Sequence, residues 1–172
     1  MAGDPYDDPR ITAIGLLVGA TNAVAHKCGA VFREHGISGS DFDVLIRLAR
    51  SPYQSLRLTD LAAQTWMSTS GITRVIDRLE KAGLARRAAC ATDRRSFLVG
   101  LTDEGNRRLA KLVPELTDAI DHSFTGVLPA DELDAFLATL QKIRGGVQLD
   151  ATTGADACTS EDCMPPEPLQ HP

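Results

Sequence analysis

The stretch STSGITRVIDRLEKAGLARRAACATDRRSFLVGL, residues 68–101, reads as one helix followed by a basic hairpin. Ser68 suits an N-cap, because its hydroxyl accepts from the free amides of a first helical turn. Ile72, Val75, Ile76 and Leu79 recur at spacings of three and four and so share one helical face. Ser70, Thr73, Arg74, Asp77 and Arg78 take the opposite face, where hydroxyls and guanidinium forks match base edges in a major groove. Gly83 supplies the residue type that closes a helix. Beyond it, Leu84 to Ala91 and Ser96 to Leu101 are strand-like, and Thr92, Asp93, Arg94 and Arg95 connect them. Two arginines at a hairpin tip suit a phosphate or a narrow minor groove.

Taken alone, such a helix is an ordinary solvated surface helix. The residues before it change the reading. Leu58 to Gln64 forms a second short helix, with Thr59 as its expected cap and Leu61 and Ala62 turned inward. Only Thr65, Trp66 and Met67 separate the two helices. A short helix, a tight turn and a polar-faced helix make a helix-turn-helix, and the appended hairpin makes it winged. Trp66, in the turn, is compatible with local stacking, contact with a DNA sugar edge, or cover for the core.

Charge is informative only by region. The whole chain carries a net charge of -5. From Arg74 to Arg95, seven basic residues (Arg74, Arg78, Lys81, Arg86, Arg87, Arg94, Arg95) oppose three acidic ones (Asp77, Glu80, Asp93), giving +4 and leaving -9 for the rest. A basic element on an acidic body approaches phosphates in one orientation, and a generally adhesive polycation is excluded.

Three groups of residues together resemble the MarR family of winged-helix transcription regulators. They are Met67 to Arg74, then Asp77-Arg78-Leu79-Glu80 with Gly83-Leu84, and Asp93-Arg94-Arg95 leading to Leu101-Thr102-Asp103-Glu104-Gly105. The resemblance extends roughly from Ile11 to Ile143. It implies that Arg95 is the wing-tip arginine entering the minor groove. By the same resemblance Arg94 helps hold the wing to the backbone and Asp93 pairs with an arginine to fix the tip. It also implies a regulator that binds double-stranded operator DNA, represses, and releases when a small, often aromatic and anionic, effector enters the cleft between the DNA-reading and dimer regions. Arg10 and His26, on the first helix, are the candidate partners for an effector carboxylate. Trp66 stands where such sequences usually carry a small residue.

The expected architecture is mainly α with a small β-hairpin wing: a winged helix-turn-helix plus a helical dimerisation region. A chain of 172 residues with 43% hydrophobic content fits one domain over residues 1–150. Its winged-helix lobe spans about 40–101, and its dimerisation helices span about 9–36 and 102–146. Pro9 to His35 lacks strong breakers and carries Ile14, Leu17, Val18 and Val24. Ser40 is the expected cap of a helix to Ala49, stopped by Pro52. Leu109, Leu112, Val113, Leu116, Ile120 and Phe124 continue one apolar stripe, with a kink or break expected near Val113 because Pro114 lacks an amide donor. Pro129 opens a last helix carrying Leu133, Phe136, Leu137, Leu140 and Ile143. These helices carry more apolar surface than a lone winged helix needs, which points to a homodimer reading a pseudo-palindromic operator. Residues 151–172, acidic and interrupted by Pro165, Pro166 and Pro168, read as a disordered tail.

Four cysteines, Cys28, Cys90, Cys158 and Cys163, form no C-x-x-C, so no metal site is expected. Cys28 reads as a small buried hydrophobe. Cys90, after two arginines, is the other candidate for a thiol sensor, which would make the protein a redox-sensing repressor. A winged-helix interaction scaffold without DNA binding is a further alternative, opposed by Arg74, Arg78, Arg94 and Arg95. The four histidines are scattered, and neither catalytic motifs nor a cofactor signature occur, so catalysis is not expected. The acidic N-terminus has no signal-peptide pattern and no run approaches a membrane span, so a cytoplasmic protein without membrane association is expected.

Overall fold

The computed structural model describes residues 5–89 and 97–151. They run through α1 (Pro9–Glu34), α2 (Gly39–Arg50), β1 (Ser55–Arg57), α3 (Leu58–Thr65), α4 (Thr69–Lys81), β2 (Ala85–Ala89), β3 (Phe97–Leu101), α5 (Asp103–Ser123) and α6 (Ala130–Ala151). This is the mainly helical winged helix-turn-helix expected from the sequence.

Most helix starts are set by a side chain that accepts from the first turn. Ser68 accepts from Gly71 N at 3.1 Å at the head of α4, and Thr102 accepts from Gly105 N at 3.0 Å at the head of α5. For α2 the cap is Ser38, not Ser40. Ser38 Oγ accepts from Asp41 N at 3.2 Å while Ser38 N donates to the Asp41 carboxylate at 2.8 Å, a reciprocal capping box that places Ser40 inside the first turn. Thr59 does not cap α3 either. The strand β1 leads directly into that helix, so Arg57 is the cap residue and makes no side-chain capping bond.

The wing is a three-stranded antiparallel sheet of order β1-β3-β2 rather than a bare hairpin. β2 pairs with β3 from Ala85↔Leu101 to Ala89↔Phe97, and β1 adds to the other edge of β3 from Ser55↔Gly100 to Arg57↔Leu98. Three residues are too few to show the alternation of a strand. The pairing welds the segment before α3 to the wing.

One core joins Val44, Leu45 and Leu48 of α2, Leu61 of α3, Ile72, Val75, Ile76 and Leu79 of α4, and Val99 and Leu101 of β3. Leu109 of α5 closes this core, while Leu112 and Leu116, one and two turns on, pack with Cys28 of α1 in a second cluster. Phe32 and Phe42, with ring centroids 5.2 Å apart, lie between α1 and α2.

Three expectations about the long helices are corrected. α5 runs unbroken through Pro114, because Pro114 and Ala110, whose carbonyl loses its amide partner, are both exposed to solvent. α6 extends to Ala151, past the expected end near 146, since no proline interrupts it. By length and composition alone, the 26-residue α1 is long and apolar enough to cross a membrane, which the sequence reading denied. None of its apolar window is buried within the chain. Ile11, Ile14, Leu16 and Val18 are half or more exposed.

Candidate nucleic-acid interface

α4 is held by its apolar face and offers its polar one. Ile72 and Ile76 are fully buried and Val75 and Leu79 nearly so, while Ser68, Ser70, Arg74, Asp77 and Arg78 are exposed. Burying four such side chains is worth about 6–12 kcal/mol of transfer free energy, so the helix is a fixed platform. Thr73 is half-buried, and its hydroxyl donates to the Thr69 carbonyl at 2.7 Å. The N-terminal end of α4 thus presents two serine hydroxyls, with the guanidinium of Arg74 one turn further along.

Arg78 is half exposed and also has a partner within the chain. Its Nε and Nη2 donate to Asp41 Oδ1 at 2.9 and 2.6 Å, tying α4 to α2. Asp41 is 5% exposed, and its other oxygen accepts from Ser38 N and from Ser38 Oγ at 2.7 Å. Burial pushes the Asp41 carboxyl pKa up, but the Arg78 and Ser38 hydrogen bonds, helped by the Arg78 charge, hold it below its ordinary value. Arg78 therefore fixes α4 against α2.

A second joint comes from Arg87, which sequence reasoning counted only as charge. Arg87 lies on β2 and its Nη1 pairs with Asp77 at 2.7 Å and with Glu80. Its backbone amide also donates to Glu80 Oε1 at 2.7 Å. The two carboxylates of α4 are thereby neutralised on the wing side, where they would otherwise repel phosphate. No periodicity links residues ten apart across a turn, so only the spatial pairing reveals this clamp.

The wing is fixed at its base by a backbone approach. Thr102 N donates to the Leu84 carbonyl at 3.2 Å and Thr102 Oγ1 to the Gly83 carbonyl at 2.7 Å. Gly105 then passes so close to Leu84 that a Cβ there would overlap the Leu84 carbonyl oxygen. This explains the run Leu101 to Gly105 physically.

The remaining candidates separate. Asp93, Arg94, Arg95 and Cys90 lie outside the described residues, as does the tail from 152 onward. Arg10 is exposed and pairs locally with Asp8, the cap of α1, at 2.5 Å. His26 is exposed rather than in the core, and sixteen residues from Arg10 on one helix, about 24 Å away, so the two do not form one site within a chain. Cys28 is 8% exposed, and burial raises its thiol pKa, which suppresses the reactive thiolate. Among the described residues no group of three or more metal-ligating side chains occurs. An apolar cavity of about 340 Å³ opens between Leu17, Thr21 and Val24 of α1, Phe124, and Phe136 and Leu140 of α6.

Known proteins share this arrangement. A family model described as "MarR family" matches residues 35–96, the winged-helix lobe. The HTH-type transcriptional regulator YkoM of Bacillus subtilis is 34% identical over 111 residues, covering 64% of this chain and 70% of that protein. The crystal structure of Sco3205, a MarR family transcriptional regulator from Streptomyces coelicolor in complex with DNA, superposes with a TM-score of 0.77 at 27% identity, over 84% of this chain and 91% of that one. CouR from Rhodococcus jostii, bound to p-coumaroyl-CoA, is similar at a TM-score of 0.68 and 25% identity, over 83% of this chain and 95% of that one. On sequence, fold and site geometry together, the chain belongs to the MarR family of winged-helix transcriptional regulators.

Proposed function

We propose that the protein represses transcription by binding a pseudo-palindromic operator as a homodimer, and that a small effector releases it. The observation that carries this reading is the two-faced α4, with its apolar side sealed into the core and Ser68, Ser70 and Arg74 exposed at its leading end. In this reading Arg95 and Arg94 add wing contacts, with Asp93 fixing the tip, and Thr73 lines the groove. Arg78, half exposed while paired with Asp41, faces the same groove. That Sco3205 was crystallised with DNA supports a groove-reading role for the same fold.

The decisive measurement is fluorescence anisotropy on the DNA flanking the gene, at two salt concentrations and against an unrelated duplex. Specific binding that weakens steeply with salt is expected; binding insensitive to salt, or absent, would favour the interaction scaffold. Arg74→Ala and Arg95→Ala are each expected to weaken operator binding by about 1 to 3 kcal/mol, and Arg57→Ala by much less. Equal losses at all three would refute the assignment of the reading face.

The dimer reading rests on apolar surface that the single chain leaves uncovered. Ile11, Ile14, Leu16 and Val18 on α1 and Leu137 and Ile143 on α6 are 38–70% exposed. A second copy of the chain offers these helices a matching apolar face. Ile14→Asp is expected to shift sedimentation from dimer to monomer, while an unshifted dimer would place the interface elsewhere. For the effector, the apolar cavity between α1 and α6 suits an aromatic ring, as the p-coumaroyl group bound by CouR would be. A ligand that binds there and favours a dimer with misplaced recognition helices shifts the population off DNA.

A further inference from the structure

Three helices of this chain close with the same turn. At the ends of α1 and α4 a left-handed residue, Gly36 (φ 65°) or Gly83 (φ 70°), precedes an apolar one. The amide of that apolar residue donates five residues back, Ile37 to the Phe32 carbonyl at 3.0 Å and Leu84 to the Leu79 carbonyl at 2.9 Å. α3 ends likewise, with Met67 donating to the Ala62 carbonyl at 3.2 Å, and Ile37, Leu84 and Met67 all reach the same core. The left-handed residue in that third turn, however, is Trp66 (φ 58°, ψ 24°).

Glycine is the natural occupant of this conformation, because a Cβ crowds the following carbonyl, and a bulky aromatic residue is among the least suited. The ring does not recover the cost by burial, since Trp66 is 56% exposed. Among the described residues it stacks on no other aromatic ring. The side chain is therefore unfavourable for the free protein in its backbone and in its solvation. Strain at such a position is retained where the side chain serves something outside the fold. Trp66 lies two residues before Ser68, beside the exposed hydroxyls at the leading end of α4.

We infer that Trp66 is a DNA-backbone contact, its indole face covering a deoxyribose at the edge of the groove that α4 enters and its Nε1–H available to a phosphate. An indole combines an apolar face with a donor-only edge, and a sugar-phosphate combines an apolar face with acceptor-only oxygens. The contact is independent of sequence, so it adds affinity and register rather than base selection. It rests on the proposal that α4 reads DNA.

Trp66 is the only tryptophan in the chain, so intrinsic emission reports on it alone. On titrating the full-length protein at low salt with a mixed-sequence duplex, and with the duplex flanking the gene, Trp66 is expected to lose most of its accessibility to acrylamide in both. Trp66→Asn, which tolerates the left-handed backbone, is expected to melt no lower than the unaltered protein yet bind both duplexes about tenfold more weakly. Trp66→Phe, keeping a ring without the donor, falls between them. DNA binding with unchanged acrylamide quenching, or with undiminished affinity of the Trp66→Asn protein, overturns this contact and leaves α4 as the reader. A failure of the unaltered protein to bind either duplex overturns the DNA reading and this contact with it.

Discussion

Gly105→Ala is expected to destabilise the protein by about 3 kcal/mol, lowering the melting temperature by roughly 10 °C. The added Cβ would overlap the Leu84 carbonyl oxygen and stand 2.7 Å from Leu101 Cδ1. The first obstacle is backbone, not the end of a flexible side chain, so α5 must move as a body. That movement stretches the Thr102 bonds to the Leu84 and Gly83 carbonyls at 3.2 and 2.7 Å and lifts the base of the wing. Thermal melting of the variant beside Gly145→Ala is the check. Around Gly145 nothing lies within 4 Å, and alanine there should be neutral or stabilising by up to about 1 kcal/mol. Equal behaviour of the two would mean that the approach of α5 to Leu84 is not tight.

Asp41→Ala is expected to cost about 3 kcal/mol at neutral pH, combining a charged hydrogen-bond pair with half of a capping box. Arg78 keeps partial contact with water, its side chain being 51% exposed, which limits the loss. The pH dependence has a definite sign. Because the folded-state pKa of Asp41 is lowered, the unfolded chain binds more protons in the interval below about pH 4, and the contribution of Asp41 is present above that interval. As pH falls through the folded pKa the contribution is lost. Urea midpoints should therefore separate widely between the two proteins at pH 7 and draw together progressively as pH falls below about 4. A constant separation across that range would show that the carboxylate charge is not what stabilises the joint.

The parts of the fold that repeat with a helical period were legible in the sequence. Ile72, Val75, Ile76 and Leu79 named the buried face of α4, and Ser68 and Gly83 bracketed it, because caps and closing glycines act within a few residues. Ser38-x-x-Asp41 was equally present as a capping box, but Ser40 offers the same chemistry two residues later and only the backbone decides between them. What stayed hidden depends on contacts between distant segments. β1 is recognisable only by its pairing with β3, and Arg78 and Arg87 look like any solvated arginine until Asp41, Asp77 and Glu80 are brought beside them. On α1, composition showed an apolar helix but not whether the chain itself covers it. Charge counting treated Arg74, Arg78 and Arg87 alike, whereas Arg78 and Arg87 hold α4 in place.

The unbroken course of α5 has a mechanical consequence. Its 21 residues begin at the Thr102 joint beneath the wing and finish beside the cavity bordered by Phe124, a span of about 31 Å. A rod of that length is a lever. A tilt of about 5° forced at the cavity end displaces the wing end by about 3 Å, close to the rise of one base-pair step, about 3.4 Å. Under the proposed effector reading, expansion of the cavity by a modest occupant would carry the wing end by about one base-pair step.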